Sequence, residues 1–341
     1  MLREILSRVA AGETLDSVAA AAAVNVIMEG KATRAQIGSF LTALKVRGET
    51  EEEIAGAATS LRERAVPFPA TDLDNALDTC GTGGDEAGTV NVSTLAAIVA
   101  AGAGAKVAKH GNRSVSSLCG SADLLSALGI RAEVHPGIAA RCLDETGFAF
   151  LFAPLYHPAM KEVAPVRQEL GFRTIFNLIG PLCNPAGVRR QLLGVFSRDL
   201  VPLMAGVLVR LGTRRALVVA SDDGLDEISV CAPSTVAEVY EGGRVEVRTL
   251  DPTRFGFPLR ASGALRGGTP EENAAISLEL LDGAEGAVRE AVILNAAAAL
   301  EVSGRASGLD EGIEMAARSI DSGAARRVLD GVRIITQEQD A

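Results

Sequence analysis

Three stretches of this chain carry residue types that could act together on an anionic ligand. The first runs Asp78-Thr-Cys-Gly-Thr-Gly-Gly-Asp-Glu-Ala-Gly-Thr-Val-Asn-Val-Ser-Thr94: an apolar segment, a glycine turn, then small hydroxyl residues opening a helix. Gly81, Gly83 and Gly84 lack a Cβ, so the backbone can turn tightly and bring its amides close to an anion. Asn91, Ser93 and Thr94 fall where a helix start leaves N–H groups unpaired, which is a ready phosphate site. The second stretch, Ala108-Lys-His-Gly-Asn-Arg-Ser-Val-Ser-Ser117, holds two cations, an amide, a glycine and three serines. Such residues make poor core and a rich set of donors for phosphate. The third, Asp222-Asp-Gly-Leu-Asp-Glu-Ile-Ser229, puts four carboxylates into six residues after an apolar strand. They must be solvated or bound to a hard cation, and Mg²⁺ takes carboxylate, phosphate and water oxygens of this kind. Arg167, in Val163–Gly171, has the planar fork that pairs bidentately with a carboxylate.

Each stretch also has a plain reading: a capped strand–turn–helix, a solvated loop, an acidic surface turn and a solvated helix Arg. Ser114, Ser116, Ser117 and Ser121 could each cap a turn instead. Two donor-rich loops that each follow a strand favour the ligand reading, because in open α/β sheets the crevice lies at the strands' C-terminal ends.

The elements that must hold these loops follow from apolar period and caps. Residues 1 to about 66 read as helices only, with Leu2, Ile5 and Val9 on one apolar face and an Ala-rich helix from Thr14 to Glu29 stopped by Gly30. Thr33-x-x-Gln36 and Thr50-x-x-Glu53 match the capping box. Pro67-Phe68-Pro69 reads as a stiff linker. From Leu73 short strands alternate with helices: Ala76–Cys80, Lys106–Lys109, Phe148–Phe152, Gly194–Phe196 and Ala216–Ala220, with helices at Ser121–Leu128 and Leu200–Leu211 between them. That alternation predicts an α/β fold with a mainly parallel sheet and helices on its faces. Val236–Arg248 alternates on both sides of Gly242-Gly243 and reads as a β-hairpin, and helices return from Pro270. The expected division is a helical unit over 1–68, with a segment near 158–180 returning to it, and an α/β unit over 72–341.

Composition narrows the function. A chain of 341 residues that is 48% hydrophobic is too apolar for disorder and long enough for one large and one small domain. Net charge −10 and an isoelectric point near 5.0 argue against general binding to nucleic acid or anionic membrane. Cys80, Cys119, Cys142, Cys183 and Cys231 are odd in number with no C-x-x-C pair, so neither a zinc site nor a disulfide framework is suggested. Reduced thiols and an N-terminus that does not read as a signal peptide make the cytoplasm the expected location. The longest apolar run, Leu95 to Ala105, is well short of the roughly 18 residues of a membrane span.

Taken together, GTGGD at 81–85, NVST at 91–94, KHGNRSVSS at 109–117, GSAD at 120–123, FAPLYHPAMK at 152–161, APVRQELGFRTIFNLIGPLCNP at 164–185 and GLDEIS at 224–229 resemble the anthranilate phosphoribosyltransferase family. The resemblance spans most of the chain in order. It implies transfer of the phosphoribosyl group of 5-phosphoribosyl-1-diphosphate to anthranilate, with Mg²⁺ (two ions per subunit) and a homodimer packed through the helical unit. It also implies a diphosphate site lined by Gly81, Gly84, Asp85, Thr89, Asn91, Val92, Ser93, Thr94, Lys109, His110, Gly111, Asn112, Arg113, Ser114, Val115, Ser116, Ser117 and Ser121. Ser93, Asp226 and Glu227 take the metal positions, and Gly81, Asn112 and Arg167 the anthranilate contacts. No residue is expected to act as nucleophile or general base. Leu118-Cys119 and Tyr156-His157 depart from the family's usual pattern.

Two other functions share this architecture. A pyrimidine nucleoside phosphorylase would need a nucleobase constellation that the chain lacks, and would not need the Asp226-Glu227 pair. A non-catalytic nucleic-acid-binding member would carry a basic surface and an incomplete metal motif, against a net charge of −10 and an intact Gly224-Leu-Asp-Glu227.

Overall fold

The computed structural model describes residues 2–83, 88–114 and 118–338. Four helices come first: α1 (Leu2–Ala10), α2 (Ser17–Met28), α3 (Arg34–Arg47) and α4 (Glu51–Glu63). Both expected capping boxes form, Thr33 with Gln36 and Thr50 with Glu53. The second helix starts later than the apolar pattern suggests, because Asp16 caps it by accepting from the Ala19 amide.

Seven strands follow: β1 (Leu77–Gly81), β2 (Val107–Gly111), β3 (Phe148–Phe152), β4 (Arg190–Gly194), β5 (Arg215–Ser221), β6 (Ser234–Tyr240) and β7 (Val245–Leu250). They form one sheet in the order β3-β2-β1-β4-β5-β6-β7. The first five are parallel, and β5, β6 and β7 pair antiparallel, the last two as the expected hairpin. The connecting helices are α5 (Val92–Gly102), α6 (Ser121–Ala127), α7 (Pro136–Thr146), α8 (Ala153–Tyr156), α9 (Ala164–Leu170), α10 (Ile175–Ile179) and α11 (Leu200–Arg210). Four more close the chain: α12 (Pro270–Leu281), α13 (Ala287–Ser303), α14 (Leu309–Asp321) and α15 (Ala324–Gln337). Among the described residues no helix is long and apolar enough to cross a membrane.

The fourth strand lies at Arg190–Gly194 and not at Gly194–Phe196. Its first two residues are polar and hide it from an apolar search. Arg190 donates to the Val302 carbonyl and the buried Gln191 to the Pro181 carbonyl, so both find partners beyond the sheet.

Each strand sends alternate side chains to opposite faces, and both faces are covered except along the edge strand β7, where Val245 and Val247 are exposed. Leu192, Leu217 and Val219 join a core with α5, α13, α14 and α15. Leu193, Val218, Ala220 and Val239 face the other way, into a core shared with α11 and the N-terminal helices through Ile27, Leu44, Ile54 and Leu61. The stretch 158–182 also joins this second side, with Val163, Val166, Phe176 and Ile179 packed among the same residues. The sheet therefore presents one open edge of consequence, the C-terminal ends of its parallel strands. β1 leads to β2 and β3 on one side, and the chain then crosses to β4 on the other, so strand order reverses between β1 and β4.

Candidate functional site

The crevice forms at that reversal. Gly81 ends β1 and Gly194 ends β4, paired in register. The acidic loop after β5 lies directly over them. A Cβ on Gly81 would collide with the Asp226 carboxylate, and one on Gly194 with the Asp226 backbone carbonyl. These two glycines are what allow the loop to sit on the strand ends.

Asp226 Oδ2 accepts from the Gly83 N–H (2.8 Å), and Glu227 Oε1 accepts from the Ser93 N–H (3.0 Å) at the start of α5. The helix end thus already holds one carboxylate, as its positive dipole end favours. Lys109, on β2 and only 1% exposed, donates from Nζ to the Thr79 carbonyl and, at 3.4 Å, to Ser93 Oγ. Burial and the adjacent Asp226 charge push the Glu227 carboxyl up to about 8, against the opposing pull of Lys109. Two carboxylates crowded beside one ammonium and a hydroxyl form an all-oxygen donor set with negative charge to spare. That is the arrangement a hard divalent cation completes with phosphate and water oxygens. Among the described residues no group of three or more His, Cys, Asp or Glu side chains could hold a metal alone. A cation here would share its coordination with a ligand.

Gly81, Ser93, Lys109, Asp226 and Glu227 are therefore brought together. Thr89 bridges to Arg266, and Asn91 flanks the site at the N-cap position of α5 without capping it. Val92 is buried in the apolar core, so only its backbone is available to a ligand. Thr94 is buried with Oγ1 unpartnered among the described residues. Gly111 ends β2 beside Ser121, the first residue of α6. Gly84, Asp85, Val115, Ser116 and Ser117 lie outside the described residues.

Arg113 differs from the picture of a free phosphate-binding cation. Its guanidinium is divided between Asp123 (3.1 Å) and Glu133 (2.9 Å), and it sits 5.7 Å over the Phe152 ring. Asp123 also accepts from the Ser114 and Gly120 amides, which ties the loop after β2 to α6. Asn112 Oδ1 accepts from the Arg113 amide.

His110 alternates with Lys109 on β2 and faces the opposite side of the sheet. Its ring meets His157 edge-on at 5.1 Å, and its Nε2 is buried without a partner among the described residues. Burial, the neighbouring His157 and Lys109 lower it to about 3, so it is neutral at physiological pH. The unfolded chain protonates this residue near pH 6.5 and the native one does not, so its contribution to stability is present above 6.5 and is lost as pH falls toward 3. Asp78, buried beneath it and raised to about 6 by desolvation, has the opposite slope between about 4 and 6. Comparing wild type with His110→Leu isolates the histidine. The stability advantage of wild type, from urea unfolding, should grow by about 2–3 kcal/mol between pH 4 and 6.

Arg167 stands on α9, half-buried, 5.9 Å over the Phe176 ring, with a 3.4 Å contact to Asn177 Oδ1. Among the described residues it has no carboxylate partner, and it faces the stretch 174–184 that returns under the site. There Asn184 donates both to Asp78 Oδ2 (2.8 Å) and to the Ala108 carbonyl (2.7 Å). Tyr156 is core, edge-on to Phe68 at 6.4 Å, while Leu118 is exposed and Cys119 is buried beside Asn91. Sequence reasoning missed Thr79, Asp78, Gly194 and Asn184 as site builders. Only Gly194 left a local signal, a glycine inside an apolar strand, which marks close backbone approach.

The chain is similar to known proteins along nearly its whole length. Residues 3–65 match the helical bundle domain of a glycosyl transferase family, and residues 73–326 match its a/b domain. The chain is 51% identical over 338 residues to the anthranilate phosphoribosyltransferase of Thermomicrobium roseum, covering 98% of this chain and 97% of that one. It is 50% identical to that of Symbiobacterium thermophilum over 335 residues, 98% of each. Among solved structures it resembles the enzyme from Thermus thermophilus (TM-score 0.92, 42% identity, 98% and 99% of the two chains). It also resembles the enzyme from Saccharomyces cerevisiae in complex with PRPP and Mg (TM-score 0.89, 31% identity, 98% and 97%). The chain belongs to the anthranilate phosphoribosyltransferase family.

Proposed function

We propose that this chain transfers the phosphoribosyl group of 5-phosphoribosyl-1-diphosphate to the amine of anthranilate, releasing diphosphate. This is the second step of tryptophan synthesis from chorismate. The observation that carries the reading is the convergence of Ser93, Lys109, Asp226 and Glu227 on glycine-floored strand ends. A phosphate-plus-cation ligand needs that arrangement, and a nucleobase or nucleic acid does not.

Diphosphate leaves C1 of the ribose as positive charge grows on the sugar, so stabilising the departing charge is the main task. Mg²⁺, bound by Asp226, Glu227 and Ser93, would supply charge neutralisation to the phosphates. Two ions per subunit suit the two adjacent carboxylates. Lys109 holds the carboxylate pair in place and balances part of its charge. By the family motif, backbone amides of the glycine turn and of the loop after β2 would meet the phosphates. Thr89, Asn91 and Ser121 line the ribose side, with Gly84, Asp85, Val115, Ser116 and Ser117 completing the pocket as the family motif implies.

Arg167 meets the anthranilate carboxylate, with Asn112 and Gly81 closing on the ring. The aromatic amine is unprotonated at neutral pH, so no general base is required. His110, neutral and buried, positions neighbouring backbone and exchanges no proton. The chain's own work is alignment of amine and C1.

We also infer a division near residues 68–72, with 158–180 belonging to the helical unit, and a homodimer through that unit. The exposed Val18 and Val46 there are apolar side chains that a second subunit could cover. The cytoplasm is the proposed location.

Loss of anthranilate fluorescence, dependent on both phosphoribosyl diphosphate and Mg²⁺, tests the reaction. Phosphorolysis of uridine or thymidine, with no anthranilate consumed, would replace it with the nucleoside phosphorylase reading.

A further inference from the structure

Asn273 lies on α12, far in sequence from every motif above, and is 1% exposed. Its Oδ1 accepts from the Gly268 N–H (2.8 Å), and its Nδ2 donates to Asn91 Oδ1 (3.1 Å). Asn91 in turn donates from Nδ2 to the Cys119 carbonyl (3.0 Å). Backbone groups stand at both ends of this chain of amides. A backbone N–H forces Asn273 to present its NH₂ group to Asn91, and a backbone C=O forces Asn91 to present its own to Cys119. Neither amide can turn over without losing a hydrogen bond.

The surrounding backbone fits against the same side chain. Gly267 donates to the Gly88 carbonyl (2.9 Å), and Val90 donates to the Leu265 carbonyl (3.0 Å). A Cβ on Gly267 would come within 2.7 Å of Asn273 Oδ1 and 2.8 Å of the Thr89 backbone. Three segments, 88–91, 118–121 and 265–268, therefore meet at the Asn273–Asn91 pair of amides.

We propose that Asn273 is a positioning residue for phosphoribosyl diphosphate: by fixing the polarity of the Asn91 amide, it aims the second Asn91 N–H at the ligand. This rests on the binding reading given above. Asn273 itself does not touch the substrate.

The test is Asn273→Asp, which keeps the shape and the oxygen that accepts from Gly268 and replaces the donor to Asn91 with a charged acceptor. A carboxylate facing Asn91 Oδ1 turns that amide over and pulls its NH₂ group from Cys119. Calorimetric Kd for phosphoribosyl diphosphate with Mg²⁺ should rise about tenfold, with KM for the same substrate, while kcat and KM for anthranilate stay within about twofold. Asn273→Leu, neutral and similar in volume, should do the same. In an Asn91→Ala background, Asn273→Asp should add no more than about twofold, because the group it acts through is gone. Unchanged Kd in both variants would overturn the proposal. So would additive losses, or a fall in unfolding temperature large enough to account for the lost binding. If wild type binds phosphoribosyl diphosphate but consumes no anthranilate, the assigned reaction fails while the calorimetric comparison still decides the role of Asn273.

Discussion

Replacing both acidic residues of the loop after β5, as Asp226→Asn/Glu227→Gln, is expected to lower kcat/KM by about ten-thousandfold. It should leave the fold as stable as wild type or more so. The two effects share one cause. In the absence of a ligand, burial and then the neighbouring Asp226 charge hold the Glu227 carboxyl far above its ordinary range, against the pull of Lys109. Like charges in a poorly solvated place oppose folding, so neutral amides of the same shape relieve the native state. The same charges are what draw Mg²⁺ and its phosphates into the crevice. Thermal unfolding without Mg²⁺ and steady-state turnover with it should move in opposite directions. A variant that retains more than a tenth of wild-type kcat/KM would remove the metal assignment from this pair.

Gly194→Ala is expected to cost about a thousandfold in kcat/KM for one added methyl, at a site that touches no substrate. The new Cβ would occupy the space of the Asp226 backbone carbonyl. A neighbouring side chain could rotate away, but a carbonyl cannot, so the whole loop must lift off the ends of β1 and β4. Displacement of catalytic groups by about 1 Å costs about a hundredfold in rate, and here two cation-binding carboxylates move together. Overpacking should also lower stability by about 1–3 kcal/mol. Gly308→Ala is the control, since a Cβ there meets nothing within 4 Å and the backbone is extended. It should behave as wild type in both measurements. Activity within about tenfold of wild type in Gly194→Ala would mean that the loop tolerates displacement and that its placement over the glycines is incidental.

Local grammar made much of this protein legible. Thr33 and Thr50 announce helix starts because a cap is solved within four residues, and Gly242-Gly243 announces a hairpin for the same reason. The parallel core strands are visible as short apolar runs because both faces of the sheet are covered. β4 is the exception. Arg190 finds its partner at Val302, a contact that no window of sequence contains, and Gln191 turns back to the Pro181 carbonyl. The same limit governs the site. Motifs name Ser93, Lys109, Asp226 and Glu227, but their hydrogen bonds to one another, to Thr79 and to Gly83 arise only when separate strand ends meet. Arg113 shows the reverse limit. A cation in a donor-rich loop reads as available, and only the fold reveals that Asp123 and Glu133 already hold it. Asn273 left no signal because its partner stands in a different half of the chain.

The apolar core that joins the N-terminal helices to one face of the sheet has a consequence for synthesis. Ile27, Leu44, Ile54 and Leu61 are covered by Leu193, Val218 and α11, and about 140 residues separate the end of α4 at Glu63 from the start of α11 at Leu200. At about 5–20 residues per second a ribosome takes roughly seven to thirty seconds to make that interval. Throughout it the first helices exist without the surface that completes them. The nascent chain therefore passes through a long exposed stage. Substitutions that weaken α11 or β5 should show first as aggregation during expression, before any defect appears in the purified enzyme.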